Sequence, residues 1–167
     1  MNERGLTHVD ASGAARMVDV SGKDVTVRTA TATGRVLVSP EVVGLLREGG
    51  VPKGDALAVA RIAGIQAAKR TPDLVPLCHP VAIHAVEVDL QVADDAVLVS
   101  ATVRTADRTG VEMEALTCVA VAGLALIDMV KAVDRAASIT DVRVEHKSGG
   151  RSGEWVRTAT PPGASPS

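Results

Sequence analysis

Aromatic side chains are almost missing from this chain, which has no Phe, no Tyr and one Trp, Trp155. Proteins that hold single-stranded nucleic acid need rings on which bases stack, so the composition argues against that class. It also leaves Val, Ala, Leu and Ile to build the core. Cysteine is nearly as scarce. Cys78 and Cys118 are the only two, and neither sits in a CxxC pair. That excludes a disulfide-rich scaffold and points to a reduced, cytoplasmic setting. Charge of either sign is not in excess: the formal net charge is −2, so no global field recruits nucleic acid or an anionic membrane. The longest near-apolar run, Ala115 to Ile127, has 13 residues, whereas a bilayer span needs about 20. It is expected to be a buried helix. The start, MNERGLTHVD, has no apolar segment of the kind a secretory signal requires. The 167 residues suggest one domain.

What is present divides into readable segments. Residues 1–22 show no period and are expected to be a loose arm ahead of a single domain at 23–153. Residues 154–167, rich in Gly, Ser, Thr and Pro, are expected to be a disordered tail. Asp24 to Val38 is rich in Val and Thr and reads as a strand, with a bulge or bend at Gly34. Ser39-Pro40-Glu41 is a helix start that ends at Gly49-Gly50. Asp55 can cap a second, Ala-rich helix that runs to Arg70 and stops at Thr71-Pro72. Ala82 to Val92 alternates, with Val86, Val88, Leu90 and Val92 on one side; by phase, His84 falls on the apolar side and reads as core. Ala93-Asp94-Asp95 turns into a second strand through Val103. Thr109-x-x-Glu112 fits a capping box opening a long third helix to about Ala136. Ile139 to Glu145 is a last strand, with Val142 and Val144 inward.

The order is strand, two helices, two strands, helix, strand. Counting the paired helices as one crossover gives an α+β fold, a ferredoxin-like plait: a four-stranded antiparallel sheet with helices on one face. The bare face and the apolar third helix both argue for an oligomer.

Four groups of residues can carry chemistry. Pro76-Leu77-Cys78-His79-Pro80 holds a thiol and an imidazole in a stiff turn between two prolines. His79 can act as an acid or base, or simply bond the backbone of the turn. Cys78 lacks a motif that would orient it as a nucleophile. A metal would need three or four ligands; Cys78, His79, His84 and His146 match no zinc spacing, so no metal site is expected. The third helix carries Glu112 and Glu114 at its start and Asp128 and Lys131 near its end. Asp128 and Lys131 are i, i+3 neighbours, suited to an exposed ion pair or, if desolvated, to proton transfer. Glu114 and Asp128 lie about 21 Å apart along the axis, so one site should not use both ends of the same helix copy. Finally, Lys53, Lys131, Lys147 and Arg151 all fall at ends of elements, where a plait can gather cations around a polyanionic small molecule.

Several motifs in fixed order resemble the cyclic pyranopterin monophosphate synthase family, the molybdenum cofactor biosynthesis protein C. They are Ala60-Arg-Ile-Ala-Gly-Ile-Gln-Ala-Ala-Lys-Arg70, Leu74-Val-Pro-Leu-Cys-His-Pro80, Thr109-Gly-Val-Glu-Met-Glu-Ala-Leu-Thr117, Asp128-Met-Val-Lys131 and Lys147-Ser-Gly-Gly150. Leu6-Thr-His-Val-Asp and Ala15-Arg-Met-Val-Asp-Val20 are similar to its N-terminal signature, and the match spans roughly residues 6–153. The resemblance implies a lyase that converts 3′,8-cyclo-7,8-dihydroguanosine 5′-triphosphate into cyclic pyranopterin monophosphate and pyrophosphate. It implies a homo-hexamer, a trimer of dimers, with sites at subunit interfaces. It implies Asp128 and Lys131 as catalytic residues. It implies substrate contacts from Lys53, Leu77, Cys78, His79, Glu112, Met113, Glu114 and Lys147. No cofactor is implied, although Mg²⁺ can accompany the triphosphate without a protein ligand. Complementation between Lys53 and Lys131 variants would then reveal a shared site. The rival reading is a non-catalytic, small-molecule-sensing oligomer of the same plait.

Overall fold

The computed structural model describes residues 9–10 and 12–158. Strand β1 (Thr26–Leu37) is followed by helices α1 (Pro40–Glu48), α2 (Ala56–Ala68) and the single turn α3 (Thr71–Leu74). Strands β2 (Ile83–Val92) and β3 (Ala96–Asp107) form a hairpin; helix α4 (Glu112–Val130) then leads to β4 (Ser138–Ser148) and β5 (Trp155–Val156). All pairings are antiparallel, in the order β2-β3-β1-β4-β5. The fold is α+β with an open five-stranded sheet. The fifth strand corrects the expected count of four. Trp155 and Val156 pair with Lys147 and His146, so the sheet extends past Gly153 into the segment expected to be a tail.

Alternation decides the layers. Ala30, Ala32 and Val36 of β1 and Val97, Val99, Ala101 and Val103 of β3 are buried on one face, against Ala115, Cys118, Val119, Ala122 and Leu126 of α4. The opposite face is polar. There Thr31 and Thr102 share a 2.8 Å hydrogen bond, and Thr33 donates to Glu145 at 2.9 Å. With few large side chains available, the helix layer packs closely through small ones. A Cβ on Gly64 of α2 would stand 2.9 Å from the Cys118 carbonyl oxygen and 3.2 Å from the Ala122 Cβ. By length and apolarity α4 passes as a bilayer span, but its buried stripe is this core.

The helix starts follow the sequence signals at α1 and α2. Ser39 Oγ accepts from Val42 N, Gly49 ends α1 at φ 70°, and Asp55 Oδ1 accepts from Ala58 N at 2.9 Å. Five other expectations fail in whole or in part, each for a reason visible in its contacts. Thr71 does not end the helical path; its hydroxyl donates to the Ala68 carbonyl at 3.0 Å and opens α3. The α4 N-cap is Val111, without a side-chain cap, because Glu112 turns to Lys147 instead of back to Thr109. The same helix ends at Val130, not near Ala136; Asp134 is drawn away to accept from Ser39 N at 2.8 Å. His84 is exposed, because a register shift between Ile83 and Ala85 breaks the phase of β2. On β4, Val142 reaches toward Gly34 yet stays 37% exposed, beside Asp141 at φ 56° and the register shift at Gly34.

Candidate active site

The expected site residues fall into two clusters at opposite ends of α4. The first surrounds Asp128. Lys53, in the loop before α2, reaches the last turn of α4 and donates to the Asp128 carbonyl oxygen at 2.8 Å and to Oδ2 at 3.1 Å. Lys131, one turn on from Asp128, meets its Oδ1 at 2.7 Å. Each carboxylate oxygen therefore carries its own ammonium group. The hydrogen bond from Lys131, then that from Lys53, hold the Asp128 carboxyl below the usual range. All three side chains stay about half exposed within one chain. The sequence reading set Lys53 apart from Lys131; here they share one carboxylate, so variants at these two positions cannot report a shared site.

The second cluster lies where the Pro76–Pro80 turn meets the start of α4. Leu77, Cys78, His79, Glu112, Met113 and Glu114 line a cavity of about 410 Å³, together with Val75, Thr109 and Gly110. That volume suits a small ligand. The prolines fix the turn, and the uncapped α4 N-terminus supplies the facing wall, with its first N–H groups directed along the positive end of the helix. Glu114 is 3% exposed. Burial, reinforced by the neighbouring Glu112, pushes its carboxyl up to about 7. It is therefore divided between acid and carboxylate at neutral pH. Burial also raises the Cys78 thiol, with Glu114 adding to the effect, so Cys78 is not poised as a thiolate nucleophile. Glu112 receives Lys147 Nζ at 2.9 Å. His79 Nε2 lies 2.6 Å from the Val18 carbonyl oxygen, a backbone bond made with the arm, not within its own turn.

Beyond Lys147 the chain turns through Gly149 (φ 97°) and Gly150 (φ 72°) against β1. A Cβ at Gly149 would overlap the Val27 carbonyl, and one at Gly150 the Arg28 guanidinium. This close approach borders a second cavity, about 440 Å³, lined by Lys23, Asp24, Thr26, Arg28, Arg151 and Ser152. Lys23 and Arg28 were missed from the sequence. They sit at the foot of β1, and only the antiparallel pairing of β4 with β1 brings the Lys147–Arg151 segment beside them. Within one chain the four cations expected around one ligand stand apart: Lys53 and Lys131 on Asp128, Lys147 on Glu112, and Arg151 beside Lys23 and Arg28. A further cavity of about 470 Å³ on the polar sheet face, bordered by Arg35, Asp89, Asp141 and Arg143, contains none of the expected residues. Among the described residues, no three His, Cys, Asp or Glu side chains converge as a metal site would require.

Comparison with known proteins follows this geometry. The MoaC family matches residues 17–150. A cyclic pyranopterin monophosphate synthase of Streptomyces coelicolor is 72% identical over 153 residues, covering 92% of this chain and 90% of its own. One from Nocardioides is 71% identical over 92% of this chain and 96% of its own length. Cyclic pyranopterin monophosphate synthase 2 of Mycobacterium tuberculosis is 59% identical over 91% of each chain.

Proposed function

Because the chain belongs to the MoaC family, we propose that its two clusters are the two halves of one synthase site, completed between subunits. The chemistry itself is that of the family: a lyase of molybdenum cofactor biosynthesis, forming cyclic pyranopterin monophosphate and releasing pyrophosphate. The observation that carries the shared-site reading is the separation of the clusters. Asp128 lies fourteen residues after Glu114 on the same helix, about 21 Å along its axis, too far for one small substrate to touch both. A second copy must bring its own Asp128 end to the first copy's Glu114 end. Val59 and Ile62 of α2 and Leu124 of α4 are exposed on the helix layer and offer apolar surface for such assembly. We read the assembly as a hexamer, a trimer of dimers, and the core as a ferredoxin-like plait with β5 added at its edge.

Roles follow from the chemistry. Opening the aminal ring of the cyclised nucleotide requires proton delivery and removal. Lys131 carries the proton, Asp128 holds the ammonium in place, and Lys53 pairs with the carboxylate's other oxygen. Glu112, Glu114 and the backbone at Leu77 face the guanine-derived ring, whose N–H groups need acceptors. Cys78, Met113 and His79 shape the wall. Closing the cyclic phosphate forms an oxygen–phosphorus bond from a substrate hydroxyl to the α-phosphorus and breaks the bond to pyrophosphate. The hydroxyl loses its proton, and the departing pyrophosphate takes the negative charge. Lys147, held on Glu112, and the separate group of Lys23, Arg28 and Arg151 supply cations for that charge. No resident metal or cofactor enters this scheme, and the reducing cytoplasm is its setting.

The deciding experiment is pyrophosphate release from the purified protein supplied with the cyclised triphosphate. Release by the wild type, and none by Asp128→Asn or Lys131→Ala, is the expected result. Unchanged substrate bound at equilibrium, with no pyrophosphate, would make the protein a sensor.

A further inference from the structure

The arm that precedes β1 is fastened to the body at two points beside the substrate cavity. The Val18 carbonyl lies 2.6 Å from His79 Nε2, and the Lys23 carbonyl accepts from Arg108 Nε at 3.0 Å. Along this segment Val18 and Val20 are half-buried, while Asp19 is exposed, as is Met17 just before it. The strap is locally shaped. Asp19 Oδ1 accepts from Ser21 N at 2.9 Å, an Asx turn that fixes the backbone just after Val18. On the other side, Pro80 and the Pro76 turn restrict His79. His79 belongs to two cavities at once: the substrate cavity, and a space of about 460 Å³ between the arm and the body.

A carbonyl oxygen can only accept. His79 Nε2 must therefore carry a hydrogen, and in the neutral ring Nδ1 is left with the lone pair. We propose that the Val18–Ser21 segment is a positioning element of the site: it holds His79 as the Nε2–H tautomer. His79 then meets substrate through Nδ1, as acceptor to an N–H or O–H group. This rests on the reading that His79 lines the substrate cavity. It also assigns work to the arm, because an unfastened ring would be free to present either nitrogen.

The test uses the full chain. In ¹⁵N spectra of substrate-free protein, neutral His79 should show the Nε2–H pattern; an Nδ1–H ring would overturn the proposal. Trypsin cleavage at Arg16 and Lys23, which flank the strap, should speed up about tenfold or more in His79→Ala. It should return toward wild type in His79→Gln, whose amide nitrogen can still donate to Val18. Equal cleavage rates in all three proteins would also overturn it. In steady-state assays, His79→Gln should lose kcat although its arm remains protected, because its Oε1 acceptor does not stand where the ring Nδ1 stood. Full turnover by that variant would remove His79 from the substrate wall. That is a failure of the site reading, and the substrate-free measurements keep it distinct from a failure of the arm contact.

Discussion

Asp128 holds a lysine on each oxygen, and Glu114 sits buried with its carboxyl near neutrality; these two acids have opposite environments and opposite consequences. Asp128→Asn keeps the shape but cannot hold both ammonium groups, and Lys131→Ala removes the proton carrier. Each should cost about 10²–10⁴-fold in turnover, with circular dichroism and oligomer size unchanged. Near-normal product formation by either would remove the assigned role. Glu114 makes a stability prediction. Its carboxyl titrates at about 7 when folded, against 4.5 ordinarily. Between those values the folded state binds more protons than the unfolded chain, so stability falls as pH rises through that window. Above pH 7 the ionised form costs about 3 kcal/mol. Glu114→Gln should therefore raise the thermal midpoint over wild type at pH 8 and leave it level near pH 4.5. A gain of the same size at both pH values would mean that the carboxyl is not desolvated.

At the level of elements, the small-residue crossing of α2 over α4 is the feature most sensitive to change. Gly64→Val would force side-chain atoms onto the Cys118 backbone. It should destabilise by about 1–3 kcal/mol through overpacking, read as a lower denaturation midpoint. Gly44 of α1 has open space where a Cβ would stand, so Gly44→Ala should stabilise by about 0.5–1 kcal/mol from helix propensity. A stabilising Gly64→Val would refute the close crossing. Elements also show where sequence reading stops. Ser39, Gly49 and Asp55 announced their helix ends because capping is local. Glu112 carried the same kind of signal and the helix ignored it, because Lys147, 35 residues away, offered the carboxylate a stronger partner. His84 was misplaced because one bulge reverses the phase of everything beyond it, and alternation counted from Val86 cannot detect it.

For the whole molecule, the arrangement predicts which variants complement. A chain carrying Lys131→Ala lacks one half-site, and a chain carrying Glu112→Ala lacks the other. If a site takes its halves from two subunits, mixed assemblies of these two inactive chains should regain at most about a quarter of wild-type turnover, the fraction of sites built from two intact halves. No recovery in verified mixed oligomers would argue against a shared site. Lys53→Ala with Lys131→Ala should not complement, because both lysines serve one Asp128.

The sequence by itself determined the order of the main elements, the buried stripe of α4 and the Asp128–Lys131 pair, because hydrophobic period, capping and i, i+3 spacing act within a few residues along the chain. It also carried the motifs by which the family is known. Only the tertiary structure decided that Lys53 joins Asp128, that Lys23 and Arg28 stand beside Arg151, and that His79 is bonded to the arm. Those partners are 75, 123 or more, and 61 residues apart. Such contacts are set by strand register and helix crossing, which depend on packing across the whole core and leave no period in the sequence to read.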